Sequence, residues 1–155
     1  MGGGSVAALS AALSAALLEK LVVQPSTVRR LRRAWHECVG LIELDARRFA
    51  QVIAATRAKN RRAFTRSLKL ATEVPTKVFE HAQMIQVACR NAQRSVKPRF
   101  QSDLRCAMAV ALAASEAART LILTNLAWLD ERAYTVRMRR RLLAAARPKT
   151  DGRRG

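Results

Sequence analysis

The sequence predicts an all-α, single-domain helical bundle of about five to six helices, with two long buried small-residue helices at its centre. Three observations predict it. Half of the residues are hydrophobic, and most of those are Ala and Leu. Only 6 glycines and 4 prolines interrupt 155 residues. No stretch shows the strict apolar–polar alternation of a half-buried strand. The length suits one domain and is enough to bury a core without metal or disulfide staples. The bundle is assigned to residues 1–146, and 147–155 to a disordered basic tail.

The first helix is expected over about 5–22. Gly2, Gly3 and Gly4 precede it, and backbone without Cβ atoms lets N–H groups approach a ligand closely. Ser5 is placed at the N-cap, where its hydroxyl accepts from an unpaired N–H of the first turn. Leu9, Leu13 and Leu17 recur along one edge, and Ala and Ser elsewhere allow close helix approach. The positive end of this helix favours an anionic or polar group. A flexible leader is the plainer reading of the glycines.

Gln24-Pro25-Ser26 ends the first helix, and Ser26 or Thr27 caps a second that runs to about Lys59. Its inner face carries Val28, Leu31, Trp35, Cys38, Val39 and Ile42, and its outer face Arg29, Arg30, Arg32 and Arg33. A third helix covers about 61–72. Pro75 kinks or restarts it, because proline lacks the N–H and crowds the preceding turn. Glu73 sits before that kink and either points into a cleft or pairs with Lys77. A fourth helix follows over about 76–94. Ser102 then caps a fifth, apolar helix reaching Trp128, with Asp103 in its first turn. A last amphipathic helix begins near Asp130.

Lys plus Arg number 29 against 11 Asp plus Glu, a net charge of +18. Such a balance favours polyanions, whether nucleic acid, anionic lipid or an acidic small molecule. Aromatic content is 5%, Trp35, Phe49 and Phe64 read as core, and no nucleic-acid motif is present. Cys38, Cys89 and Cys106 lack close pairing and read as reduced core residues of a cytoplasmic protein. The two histidines, His36 and His81, have no partners at metal-ligand spacing, so no metal site is expected. The N-terminus lacks the basic leader of a signal peptide. The apolar runs 6–18 and 106–114 fall short of a bilayer's thickness, so no membrane partner is expected.

Several short stretches occur in one order: Gly2-Gly-Gly-Ser-Val-Ala-Ala-Leu9, Ala71-Thr-Glu-Val-Pro75, Ser102-Asp103, Glu116-Ala-Ala and Asn125-Leu126. In this they resemble the cyclodeaminase/cyclohydrolase family, which includes the C-terminal domain of formiminotransferase-cyclodeaminase and stand-alone methenyltetrahydrofolate cyclohydrolases. The resemblance spans Gly2 to about Asp130. It implies a folate-dependent one-carbon enzyme that works as a homodimer on a tetrahydrofolate derivative, with no tightly bound cofactor. Asp103 would be the general acid/base. A carboxylate at a helix start is favoured in its ionised form, and it both attracts the cationic one-carbon bridge and accepts a proton from water. Gly2, Gly3, Gly4 and Ser5 would hold a polar part of the folate, joined by Glu73 and Asn125. Arg99, with Lys97, would draw in its glutamate carboxylates. The family's Asp followed closely by an aromatic is loosely matched by Asp45 and Phe49; a surface Asp paired with Arg48 beside a core Phe is the competing reading.

The chain also departs from the family. A Lys- and Tyr-containing segment after the first helix is replaced by Leu21-Val-Val-Gln-Pro25, and an Asn and an Arg before Asn125 by Leu121 and Leu123. The family's residues ahead of the glycine signature have no counterpart before Gly2. The alternative to an enzyme is therefore a catalytically degenerate bundle that binds nucleic acid or another polyanion through its basic surface.

Overall fold

The computed structural model describes residues 2–147. Among them the chain forms α1 (Gly3–Leu21), α2 (Pro25–Arg57), α3 (Arg61–Ala92), a 3-10 turn (Pro98–Phe100), α4 (Gln101–Trp128) and α5 (Arg132–Ala146), with no strand. The tail expected over 147–155 lies, apart from Arg147, outside the described residues.

The first four helices make an up-down bundle. Helix α1 packs between α2 and α4 and also reaches α3 across the core, while α5 packs on α3. Antiparallel α1 and α4 are held in register by Ser14, whose hydroxyl donates to the Ala107 carbonyl at 2.6 Å. Small side chains make this possible. Ala8, Ala11 and Ala15 of α1 and Ala107, Ala111 and Ala118 of α4 are all at 0% exposure. The core divides into one cluster around Val78, Phe79, Ile122 and Met138 and a second around Leu18, Leu31, Ile85 and Leu104. Two central small-residue helices are thus present as expected.

Several local expectations are corrected. Pro75 does not split α3, which runs unbroken through it. The bundle encloses this segment: Val74, Pro75 and Thr76 are buried, and packing outweighs the lost bond. The Thr76 hydroxyl donates to the Thr72 carbonyl at 2.8 Å, and Thr72 to that of Leu68 at 2.7 Å, supplying bonds where the proline weakens the ladder. Ser5 is no N-cap: Gly2 takes that place in extended conformation (φ −93°, ψ 176°), and Ser5 is buried inside the helix. Ser26 and Ser102 do not cap either, because Pro25 and Gln101 already begin α2 and α4. Phe49 and Val39, read as core, are 62% and 48% exposed.

Helix α1 and the segment Pro98–Trp128 are, by length and mean hydropathy of 1.3 and 1.5, long and apolar enough to cross a membrane. The shorter runs counted in the sequence missed this, because serines and single charges interrupt both helices. Their smallest faces pack on one another in the core.

Two measurements check the packing. Ala11→Leu forces four carbons into a filled helix crossing and should lower unfolding free energy in urea by about 1–3 kcal/mol. Burial pushes the Cys38 thiol up to about 12, with Glu37 adding to it, and the Cys89 thiol up to about 11, whereas Cys106 is exposed. A thiol-specific disulfide reagent at pH 8 should therefore label Cys106 rapidly, and Cys38 and Cys89 only after unfolding.

Candidate functional site

The start of α1 meets the middle of α2 at a carboxylate. The Ser5 hydroxyl lies 3.0 Å from Asp45 Oδ2 and 3.2 Å from the Ile42 carbonyl oxygen, donating to both acceptors. Gly4 permits this approach. A Cβ there would come within 2.5 Å of Asp45 Cγ, a distance no side chain tolerates. A Cβ at Gly2 would stand 3.7 Å from Oδ2, and one at Gly3 would stand 3.5 Å from Leu121. The glycines are therefore a seat for Asp45 and α4, built into the first turn of the helix.

Around that seat opens a cavity of about 600 Å³. Gly2, Gly3, Gly4 and Asp45 line one side, Leu68, Ala71 and Pro75 of α3 another, and Leu121, Thr124, Asn125 and Trp128 the third. Phe49 and Trp128 both line it while remaining 62% and 66% exposed, so two aromatic rings stand at its rim. Pro75 has no N–H to give the Ala71 carbonyl four residues before it, which leaves an acceptor in the same wall. The wall is apolar with a few polar groups, the usual make-up of a small-molecule site.

Charge singles out Asp45 further. Of the 11 acidic residues, Asp151 lies outside the described ones. Eight of the remaining ten are ion-paired: Glu19, Glu37, Glu43, Glu73, Glu80, Glu116, Asp130 and Glu131. Only Asp45 and Asp103 have no cationic partner among the described residues, in a chain with 29 Lys and Arg. Arg48, the partner expected from the sequence, instead donates to Gln51 at 3.0 Å.

The other expected residues fall in different places. Asn125 lines the cavity with the three glycines, while Ser5 supports it from behind. Asp103 lies in the first turn of α4. Twenty-two residues separate it from Asn125, ~33 Å along the axis at 1.5 Å per residue. Arg99 sits in the 3-10 turn at that same far end, its guanidinium 4.8 Å from the Phe100 ring centre. Glu73 neither opens into a cleft nor pairs with Lys77. It accepts from Arg141 at 2.7 Å and from the Tyr134 hydroxyl at 3.3 Å. Arg141 also grips Glu80 at 2.6 Å, so this cluster fastens α5 to α3. Burial and Glu73 push the Tyr134 hydroxyl up to about 12.

Trp128 and Thr124 were missed by the sequence reading; their spacing from Asn125 along one helical face was the available signal. Leu121, noted only as a departure, proves to be a wall of the cavity. Among the described residues no group of three or more His, Cys, Asp or Glu could hold a metal ion.

Gly4→Ala should displace Asp45 and destabilise the chain by about 1–3 kcal/mol in urea unfolding. The double variant with Asp45→Gly should recover most of that loss, since the obstructing carboxylate is gone.

No curated protein matches the chain. Among solved structures, the formiminotetrahydrofolate cyclodeaminase of Thermotoga maritima superposes with a TM-score of 0.86 over 93% of this chain and 79% of its own, at 19% identity. The sequence pattern of the family described as formiminotransferase-cyclodeaminase matches residues 1–144, and the chain belongs to that family.

Proposed function

We propose that the cavity at the start of α1 binds a tetrahydrofolate one-carbon derivative. There the chain acts on a C–N bond, as a cyclohydrolase or cyclodeaminase, with Asp45 as general acid/base. The observation that carries this reading is Asp45 itself, a carboxylate facing an apolar cavity with no cationic partner among the described residues. Family membership and the cyclodeaminase fold support the substrate class.

The chemistry follows from charge. The methenyl bridge is a cation, which an unpaired carboxylate attracts where an ion-paired one would not. Water adding to the bridge carbon must lose a proton, and a carboxylate within hydrogen-bond reach accepts it. In the deaminating direction the formimino carbon is attacked by the neighbouring ring nitrogen, and the protonated carboxyl delivers its proton to the departing ammonia. The Ser5 hydroxyl fixes Oδ2, leaving Oδ1 for this exchange. Phe49 and Trp128 offer faces to a planar ring. The Asn125 amide and the Ala71 carbonyl supply donor and acceptor positions for its edge.

This assignment moves the proton-transfer role from Asp103 to Asp45 on grounds of place alone. Both are unpaired; Asp45 is the one at the cavity. Leu121 makes the wall apolar at a position where the family resemblance leads one to expect Asn.

Loss of the near-ultraviolet absorbance of methenyltetrahydrofolate tests the reading. Asp45→Asn should lower kcat/KM by roughly 100-fold or more, with Asp103→Asn unchanged within about twofold. Folate binding should quench Trp128 fluorescence, and Trp128→Phe should remove the quench. The reverse pattern of variants returns the role to Asp103. A chain that neither binds nor turns over folate, yet retains RNA or DNA, favours the polyanion-binding alternative.

A further inference from the structure

Helix α1 buries its alanines inward and leaves its larger side chains outside. Val6 and Leu13 are 50% and 59% exposed, and Leu9 and Leu17 are partly so. No charged residue occurs from Gly3 through Leu18.

The uncharged surface continues onto both neighbours. On α2, Trp35 and Ile42 hold α1 through Glu19 and Ser5, and Val39, 48% exposed, lies between them in the same row. On α4, Ala107 and Leu121 touch α1, and the row beside them exposes Cys106, Ala113 and Thr120. Elsewhere the outward face of α4 carries Arg105 and the ion pair Glu116–Arg119. The arginines that make the +18 charge gather on α2, α3 and α5 instead.

We propose that this face of α1, flanked by Val39 and by the small-residue row of α4, is the contact surface between two copies of the chain. Two arguments select a second copy. Molecules of charge +18 repel one another everywhere else, and only here can they meet without opposing arginines. The face is also complementary to itself. It presents a ridge of Val6, Leu9 and Leu13 beside a trough floored by Ala113 and Cys106, so a two-fold axis sets each ridge in the other's trough. A lipid surface would need the apolar ridge but no trough.

The size is adequate. Helix α1 from Gly3 to Leu18 is ~24 Å long, and two adjacent helices are ~20 Å across, giving a flat footprint on the order of 500 Å². Exposed apolar patches of that extent mark interaction sites in soluble proteins. Side-chain relief enlarges the footprint toward the roughly 800 Å² per partner of a stable complex.

The proposal does not rest on the folate reading, and its test measures mass. In sedimentation velocity across a concentration series the wild-type chain should reach twice 17.2 kDa. Leu13→Arg should sediment at the single-chain mass with an unchanged far-ultraviolet circular dichroism spectrum. Leu143→Arg, on the exposed side of α5, should remain at twice that mass. Leu13→Ser, which adds no charge, should raise the dimer dissociation constant roughly tenfold or more, and it replaces Leu13→Arg if the latter fails to fold. A wild-type chain at single-chain mass at every concentration overturns the proposal, as does a folded Leu13→Arg that stays dimeric. Co-sedimentation of a single-chain wild type with phosphatidylserine vesicles overturns it in favour of a membrane.

Discussion

Everything in this chain follows from how closely α1 and α4 approach. Close-packed helices need small side chains at the crossing, and Ala8, Ala11, Ala107 and Ala111 supply them with no exposed surface left. Such a crossing fixes rotation and register together, because a helix of alanines has no long side chain that could adapt to a shifted neighbour. The single Ser14 to Ala107 bond marks that register. With α1 so fixed, its first turn has no freedom about where to point.

The site inherits this rigidity. Gly4 and Ser5 occupy the turn that the packing aims at α2, and the same glycine that admits the Asp45 carboxylate would exclude it with one added methyl. A carboxylate held by one hydroxyl and left without a cation is costly to maintain in so basic a protein, because dozens of arginine and lysine side chains compete for it. The bundle keeps them away by surrounding Asp45 with glycine, aliphatic and aromatic groups. Its polar neighbours, Asn125 and Thr124, carry no charge.

The fold was legible in the sequence because composition and apolar spacing both report it, and the family resemblance pointed to the same bundle. The α1 glycines and Asn125 were also legible as site residues. Pro75 was misjudged because proline's local cost was weighed without the packing that encloses it; a buried segment held on three sides stays helical. Asp103 was favoured over Asp45 because a helix start is visible in a sequence, whereas the approach of Asp45 to Ser5, forty positions away, is a tertiary fact. Phe49 and Trp128 were hidden for a related reason. A large aromatic on an amphipathic helix reads as core unless one knows that the core beneath it opens into a cavity.

The fastening of α5 has a consequence of another kind. Arg141 spans Glu73 and Glu80 on α3, and beyond this triad α5 buries few side chains, chiefly Tyr134, Met138 and Leu142. The four-helix core and α5 are therefore unequal partners: α5 can detach by breaking one guanidinium's contacts and exposing three side chains, while α1 cannot move without opening the whole bundle. In hydrogen exchange the amides of α5 would run on a faster clock than those of α1 and α4. Acid that protonates Glu73 and Glu80 would hasten it, leaving the folded core as a separable unit.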